Sequence, residues 1–147
     1  MQLVCPAATL LDQRPLAGWQ EKRFALPGKP DHAAAFKVCV QRSGKYLRAY
    51  ISWKETDVAD LALGQKRYDL FTLGTRLERY DGHIAWKNCN LLADMNEGFW
   101  DDGTCYTSWV YTTLTGGWTG DGTLSVDIDN DGKGGFVREL TGSPVLY

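Results

Sequence analysis

The sequence has no long apolar run, no excess of either charge and few of the side chains that bind zinc. No run approaches the roughly 18–20 apolar residues that a membrane-spanning helix requires, so we expect no membrane span. Sixteen Lys and Arg stand against 18 Asp and Glu, giving a net charge of -2, and no basic stripe is present, which argues against nucleic acid as a partner. With two His and no Cys-x-x-Cys pair, a structural zinc site is poorly supplied.

The sequence also lacks the usual signatures of a hydrolase. No Ser lies in a Gly-x-Ser-x-Gly turn, and cysteines that form disulfides cannot act as nucleophiles. His83 is a candidate base beside a predicted turn, and Glu97, Asp101 and Asp102 form an acidic cluster. Adjacent carboxylates on a strand point to opposite faces, so this cluster is a poor catalytic pair. We predict that the protein is not an enzyme; the alternative is a hydrolase that uses His83 and a carboxylate.

Four widely spaced cysteines are the main indication of where the protein works. They are even in number and form no metal-binding pair, which predicts two disulfides among Cys5, Cys39, Cys89 and Cys105, with three pairings open. Disulfides predict an oxidising compartment, the periplasm or the exterior, whereas four buried thiols in the cytosol are the alternative. Residues 1–13 have neither the charged region nor the apolar stretch of a signal peptide, as expected of a mature secreted chain with an added start methionine. Because no small residues precede Cys5 as a lipoprotein site requires, we expect no lipid anchor.

Trp, Tyr and Gly are abundant. Six Trp, seven Tyr and 16 Gly, with five Pro and two Met, are typical of short strands joined by glycine turns. The length of 147 residues suits one domain, residues 1–147. We therefore predict a mostly β fold: a single antiparallel β-sheet domain, sandwich or barrel-like, with one short helix and two disulfides.

Turn signals place the elements along the chain. The segments on either side of Ser43-Gly44, and those on either side of "YDGH" at residues 80–83, read as strand hairpins. The best helix candidate begins at Thr56 or Asp57 and ends at Gly64. In the last third we expect strands at 105–114, 123–128 and 135–140, separated by turns at 115–122 and 129–135.

The segment "DIDNDGKGG" begins like a calcium-binding loop. Asp127, Asp129 and Asp131 occupy its first, third and fifth positions, and a glycine follows at the sixth. The pattern then fails, because Gly135 stands at the ninth position and Arg138 at the twelfth, where a bidentate glutamate belongs. Calcium at the three aspartates is one interpretation. The other is a hairpin turn whose Asp and Gly residues are solvated.

A second acidic segment, "NEGFWDDGTCYTSW", combines aromatic rings with acids. A Cys89–Cys105 bridge would close a 17-residue loop around Trp100, Asp101 and Asp102, with Tyr106 beside it. Rigid rings on a pre-ordered loop lose little entropy on binding, which favours recognition. The alternative is that these rings fill the core of the domain.

The segment "RSGKY" resembles a motif of bacterial periplasmic lysozyme inhibitors. Those small, disulfide-containing β proteins insert a loop with a Ser-Gly-x-x-Tyr motif into the lysozyme cleft; here Ser43, Gly44 and Tyr46 match it, with one spacer residue, Lys45, instead of two. The alternative is a two-residue hairpin turn. In size, β character and paired cysteines the chain also resembles the periplasmic immunity proteins of type VI secretion, which block peptidoglycan-cleaving toxins.

These resemblances imply an exported inhibitor that binds and occludes a peptidoglycan-degrading enzyme. The expected contacts with this protein partner are Trp100, Asp101, Asp102, Tyr106, Ser43 and Tyr46. The second hypothesis is a carbohydrate-binding module with exposed aromatic rings, assisted by calcium at the Asp127–Asp131 loop. We expect no other cofactor.

Overall fold

Two antiparallel sheets build the structure. A computed structural model describes residues 1–7, 18–61, 64–97 and 99–147. Within these ranges the chain forms ten strands and one helix, which are β1 (Gln2–Val4), β2 (Gln20–Phe24), β3 (His32–Ser43), β4 (Tyr46–Asp57), β5 (Tyr68–Arg79), β6 (Gly82–Asn90), α1 (Leu92–Asn96), β7 (Asp102–Tyr106), β8 (Val110–Tyr111), β9 (Trp118–Ile128) and β10 (Phe136–Glu139).

The first sheet, sheet A, is centred on the β3–β4 hairpin. Strands β1 and β2 both pair with β3, and strands β7 and β8 both pair with β4. The second sheet, sheet B, has the order β10-β9-β5-β6. Every pairing is antiparallel. The mostly β, antiparallel fold predicted from the sequence is therefore confirmed.

The two sheets pack face to face because their long strands alternate between buried and outward side chains. On β4 and β9 every second residue is buried. Buried residues of both sheets form two core clusters. The smaller is centred on Leu47, Leu77 and Trp118. The larger includes Phe24, Phe36, Ile51, Trp53, Tyr68, Phe71, Leu73, Leu124 and Val126. This alternation leaves one face of each sheet outside, and the outer face of sheet A holds the exposed rings of Tyr46, Tyr106 and Tyr111.

The region 115–122, predicted to be a turn, contains the start of a core strand instead. Strand β9 begins at Trp118, and its Gly120 and Gly122 lie where the two sheets approach each other. A Cβ atom on Gly120 would stand 2.7 Å from the carbonyl oxygen of Cys39, closer than real atoms come. The glycines were thus wrongly interpreted as turn residues, whereas they allow close packing between sheets.

The predicted helix from Thr56 or Asp57 to Gly64 is also wrong for the part that the structure describes. Both candidate cap residues lie in β4, which pairs with β3 as far as Asp57. Residues 58–61 form no helix, and residues 62 and 63 lie outside the described ranges. Sheet pairing outweighs a weak capping signal here. The helix that does form, α1, has five residues and follows β6.

Both hairpin turns and both disulfides follow the sequence predictions. The chain turns at Gly44-Lys45 between β3 and β4, and at Tyr80-Asp81 between β5 and β6. The predicted strand 105–114 is divided into β7 and β8 by residues 107–109.

The disulfides join Cys5 to Cys39 and Cys89 to Cys105. The second links β6 of sheet B to β7 of sheet A, so it connects the two layers. Two disulfides are typical of extracytoplasmic proteins. In the ranges given above, no helix has the length and apolar character needed to cross a membrane.

Candidate binding surface

The outer face of sheet A carries the side chains that point away from the core. The outward side chains of β4 are Tyr46, Arg48, Tyr50, Ser52 and Lys54. On β7, Tyr106 lies opposite Tyr50, and Asp102 lies opposite Lys54. The face is therefore a flat surface of rings and polar groups on paired strands.

The six predicted partner contacts lie along this face and its margin, but at two ends. Ser43 and Tyr46 flank the Gly44-Lys45 turn, with Tyr106 on the same side. Asp101 is bonded to Glu55, near the opposite end of β4. Nine residues separate Tyr46 from Glu55, which corresponds to about 30 Å of extended strand. The contacts thus form two separate surfaces.

We call the first surface the acidic end. It consists of two exposed rings and four carboxylates, namely Phe99, Trp100, Asp94, Glu97, Asp101 and Asp102. Phe99 and Trp100 are 69% and 63% exposed, so neither ring is part of the core. Trp100, a predicted partner contact, therefore stands in solvent and does not fill the core, whereas its role in binding remains a prediction.

A buried chain of polar side chains holds the backbone of the acidic end. Tyr68 Oη lies 2.6 Å from His32 Nδ1, and His32 Nε2 lies 2.9 Å from Glu55 Oε1. The other oxygen of Glu55 accepts the backbone N–H of Asp101 at 2.8 Å. The Glu55 N–H in turn donates to the carbonyl oxygen of Asp101 at 3.0 Å. Because the His32 and Glu55 side chains are fully buried, these bonds do not compete with water.

Arg67 holds the preceding segment in a similar way. Its buried guanidinium donates to the carbonyl oxygens of Met95 and Glu97, at 3.2 and 2.5 Å, and to that of Ala59 at 2.6 Å. The first two belong to the C-terminal end of α1, where carbonyl groups have no partner within the helix. Asn96 adds bonds to the backbone of residues 67 and 68. With the Cys89–Cys105 bridge, these contacts fix the acidic end before any partner binds.

The carboxylates of the acidic end lie close enough to change each other's titration. A hydrogen bond with Asp101, followed by the charge of that residue, raises the pKa of Glu97. Burial, followed by the charge of Asp101, raises the pKa of Asp94. The acidic end is thus a concentration of negative charge that loses part of its charge at higher pH than isolated carboxylates do.

We call the second surface the basic aromatic notch. It consists of Ser43, Tyr46, Arg48, Tyr106, Trp109 and Tyr111. Three of these residues, Ser43, Tyr46 and Trp109, line a shallow pocket of about 380 Å³. The Arg48 guanidinium lies between two rings, 4.1 Å from the centroid of Tyr106 and 4.2 Å from that of Trp109. Its Nε donates to Gln41 Oε1 at 2.6 Å, and this bond fixes the orientation of the guanidinium plane between the rings.

Strand pairing positions the remaining rings of the notch. Tyr46 and Tyr111 are partners in the β4–β8 register, and their rings meet edge to face at 5.4 Å. Tyr106 packs beside Tyr50 at 5.5 Å. The Lys45 carbonyl accepts the N–H of Thr112 at 2.8 Å, which joins the turn to the end of β8.

Asp127 lies near the end of β9, and Asp129 and Asp131 lie in the loop between β9 and β10. Asp129 is paired with two lysines, at 2.8 Å from Lys29 and 3.9 Å from Lys66, and the bond from Lys29 lowers its pKa. Asp131 accepts the backbone N–H two residues further on. Across the described ranges, no group of three or more His, Cys, Asp and Glu is arranged to hold a metal ion. Calcium at Asp127, Asp129 and Asp131 stays a prediction, as does the alternative of a solvated hairpin turn.

His83 belongs to an ion-pair cluster on the outer face of sheet B. Its Nε2 lies 3.0 Å from Glu78, and Arg76 lies 3.1 Å from Asp121 and 3.8 Å from Glu139. Burial, followed by the charge of Asp121, raises the pKa of Glu78. The His83 ring is 58% exposed. His83 is therefore explained by its contact with Glu78 in a network of charged side chains.

Sequence reasoning missed the residues that hold both surfaces. Glu55 gave a usable signal, because it has the same inward parity on β4 as four buried apolar residues and therefore had to find a buried partner. Arg67 and His32 gave none, since their partners are backbone or side-chain groups far away in the sequence. Arg48 is separated from Tyr106 and Trp109 by some sixty residues and becomes recognisable only when β4 pairs with β7 and β8.

Comparisons of this chain with protein-family models, with curated proteins and with solved structures found no match. The fold and its surfaces define a disulfide-linked antiparallel β-sandwich with two separate sets of exposed aromatic rings near opposite ends of β4. The functional argument therefore depends on the geometry of these two surfaces.

Proposed function

We propose that the protein is an exported inhibitor, of the immunity-protein kind, that binds a peptidoglycan-degrading enzyme in the periplasm and occludes its active cleft. The contacts that we assign to this role are Trp100, Asp101 and Asp102 of the acidic end. The observation that carries the proposal is that this segment is exposed while its backbone is held by hydrogen bonds from two buried side chains, Glu55 and Arg67.

Rigidity supports a binding role. Ordering a flexible loop on association costs roughly 0.5–1.5 kcal/mol for each immobilised side chain. Here the backbone around Trp100 is already fixed by Glu55, Arg67 and the Cys89–Cys105 bridge. A rigid segment with an exposed Trp is the kind of anchor that contributes most to affinity at protein interfaces.

Charge indicates the character of the partner. Four carboxylates surround the two exposed rings, so a basic surface is the complementary one. Enzymes that act on the anionic cell wall often carry such a surface. The negative charge of Asp101 is one of the causes that raise the pKa of Glu97 and of Asp94. A cationic partner placed beside these carboxylates would offset this repulsion and so gain additional attraction.

The proposal is tested with purified secreted muramidases and amidases acting on cell-wall suspensions. We expect the protein to stop the fall in turbidity caused by at least one of these enzymes, at a one-to-one ratio. The double variant Trp100→Ala/Asp102→Ala should weaken the complex by several kcal/mol, as loss of interface hot spots does.

Trp86→Ala is the matched control, because Trp86 is equally exposed but lies on β6 of sheet B. Its inhibition should equal that of the unaltered protein. The proposal is wrong if no muramidase or amidase is inhibited, or if the double variant inhibits as well as the control.

A further inference from the structure

We propose that the basic aromatic notch is a binding site for a carboxylate-bearing saccharide, separate from the acidic end. Two aromatic residues, Tyr46 and Trp109, line its pocket together with Ser43. Flat aromatic walls stack against the C–H face of a sugar ring, and hydroxyl groups at the rim bind its hydroxyls.

The size of the pocket suits such a ligand. Its volume of about 380 Å³ lies at the lower end of the range for small-molecule sites, roughly 300–1,000 Å³. Tyr46 and Trp109 are half exposed while their backbones are fixed in or beside paired strands. A shallow opening of this kind admits one or two sugar units of a longer chain and leaves the remainder in solvent.

Charge selects an anionic saccharide over a neutral one. The two segments that build the notch, residues 41–50 and 103–117, contain no Asp or Glu, but they contain Arg42, Lys45 and Arg48. Arg42 donates to the carbonyl oxygens of residues 112 and 114. Arg48 is directed by its two flanking rings and Gln41. Guanidinium and ammonium groups without an acidic neighbour in the same segments are suited to bind a carboxylate.

The other outer face of the sandwich shows the contrast. There Arg76 is within 4 Å of Asp121, Glu78 and Glu139, so its charge is neutralised inside the protein. The notch has rings in the place of those carboxylates. A carboxylate on a bound saccharide would pair with the basic groups of the notch, as the protein's own carboxylates pair with Arg76 on sheet B.

Three polymers separate the contributions of sugar and charge in affinity electrophoresis. Polygalacturonate offers sugar rings with carboxylates, its methyl ester offers the same rings without charge, and poly-L-glutamate offers carboxylates without sugar rings. We expect polygalacturonate to retard the protein, with the retardation weakening as salt is raised. Equal retardation by poly-L-glutamate or by the methyl ester, or none by polygalacturonate, would overturn the proposal.

Variants locate the site. Trp109→Ala should weaken polygalacturonate binding on the order of tenfold or more, as loss of an anchoring ring does. Lys45→Gln, in the exposed turn, should weaken it by about two- to fivefold without altering the fold. Trp86→Ala and Lys133→Gln, which remove an exposed ring and an exposed charge elsewhere, should leave binding unchanged. Loss of binding in these two controls as large as in the notch variants would contradict the assignment.

Measuring both enzyme inhibition and polygalacturonate binding in the same variants separates the saccharide site from the inhibitory surface. Lys45→Gln should inhibit as well as the unaltered protein, and Trp100→Ala/Asp102→Ala should bind polygalacturonate as well as the unaltered protein. Either proposal can therefore fail while the other stands.

Discussion

The two ends of the outer face of sheet A hold exposed rings by different means. At the acidic end, a few buried polar groups bind the backbone of an irregular segment: Arg67 holds the carbonyls at the end of α1, and Glu55 holds Asp101. At the notch, rings stand on paired strands, and Arg48 lies between two of them. The acidic end therefore depends on single side chains, whereas the support of the notch is distributed over a sheet.

Exposed rings can thus be held in place either by strand pairing or by buried side chains. A sheet supplies a flat platform whose geometry is set by many backbone bonds, each of modest net value. An irregular loop has no such ladder, so buried side chains must satisfy its backbone groups. Substitutions beneath the acidic end should consequently cost far more than substitutions within the notch.

The largest effect is expected for Arg67→Met. The change leaves three carbonyl oxygens without their donor, one of them buried and two partly buried, and each unsatisfied buried group costs about 1–3 kcal/mol of unfolding free energy. Urea denaturation followed by Trp fluorescence measures the loss. Arg138→Met is the control, because Arg138 is exposed on β10, and it should cost about 0.5 kcal/mol or less. Similar losses in the two variants would show that Arg67 is not a support.

Removing the bridge between the sheets should have the next largest effect. Cys89→Ala/Cys105→Ala opens a loop with a sequence separation of 16, which should cost about 3 kcal/mol of unfolding free energy. Hydrogen exchange of residues 91–102 should quicken, while amides of β4 and β8 at the notch stay protected. Uniform quickening at both ends would contradict the separation described above.

Glu55→Gln should have a smaller effect. The amide keeps the size of the carboxylate and can still accept the Asp101 N–H, but its second group is an NH2 donor, which can bond to His32 only if that ring presents an acceptor at Nε2. The expected loss is about 1–3 kcal/mol. Thermal unfolding checks it against Lys54→Gln, a change at the neighbouring outward position, which should be close to neutral. A loss equal to that of Lys54→Gln would mean that the buried chain contributes little.

The smallest effect concerns titration. Because the pKa of Glu97 and that of Asp94 are raised in the folded protein, both groups take up a proton at higher pH than ordinary carboxyls, and their contribution to stability declines as pH rises through that range. Carbon NMR of the side-chain carboxyls should show both midpoints above the usual range. Asp101→Asn should return the midpoint of Glu97 toward its ordinary value, since the partner charge is gone. Ring signals of Tyr46 and Trp109 should not shift in the same pH range, because the notch segments contain no carboxylate.

The sequence predicted the sheet architecture well because alternation and turns are local signals. "RSGK" and "YDGH" turn where Gly44 and the Tyr80-Asp81 pair adopt positive φ, and the strands on either side pair as expected. It failed where distant partners decide the outcome. Thr56 and Asp57 had a capping pattern, but β3 was available to pair with them, and Gly120 looked like a turn residue because the backbone of Cys39 that faces it is eighty residues earlier.

The candidate surfaces were predictable only in part. Trp100 and its neighbouring acids were found because aromatic and acidic residues are adjacent in the sequence. The division of the predicted contacts into two ends was not, since it depends on the direction in which β7 runs along β4. The pocket of the notch was not predictable either, since it forms only when Trp109 is placed beside Tyr46.

The glycines of β9 carry a consequence for recognising distant relatives of this chain. Any side chain at Gly120 would collide with the backbone of β3, and Gly103 is similarly closed by the Trp53 ring at 2.8 Å. Surface rings and charges can diverge as ligands change, but a side chain at Gly120 would separate the layers, and one at Gly103 would displace the Trp53 ring within sheet A. We therefore expect distant relatives to keep Trp53, Gly103 and Gly120 at this spacing even where the residues of the binding surfaces differ.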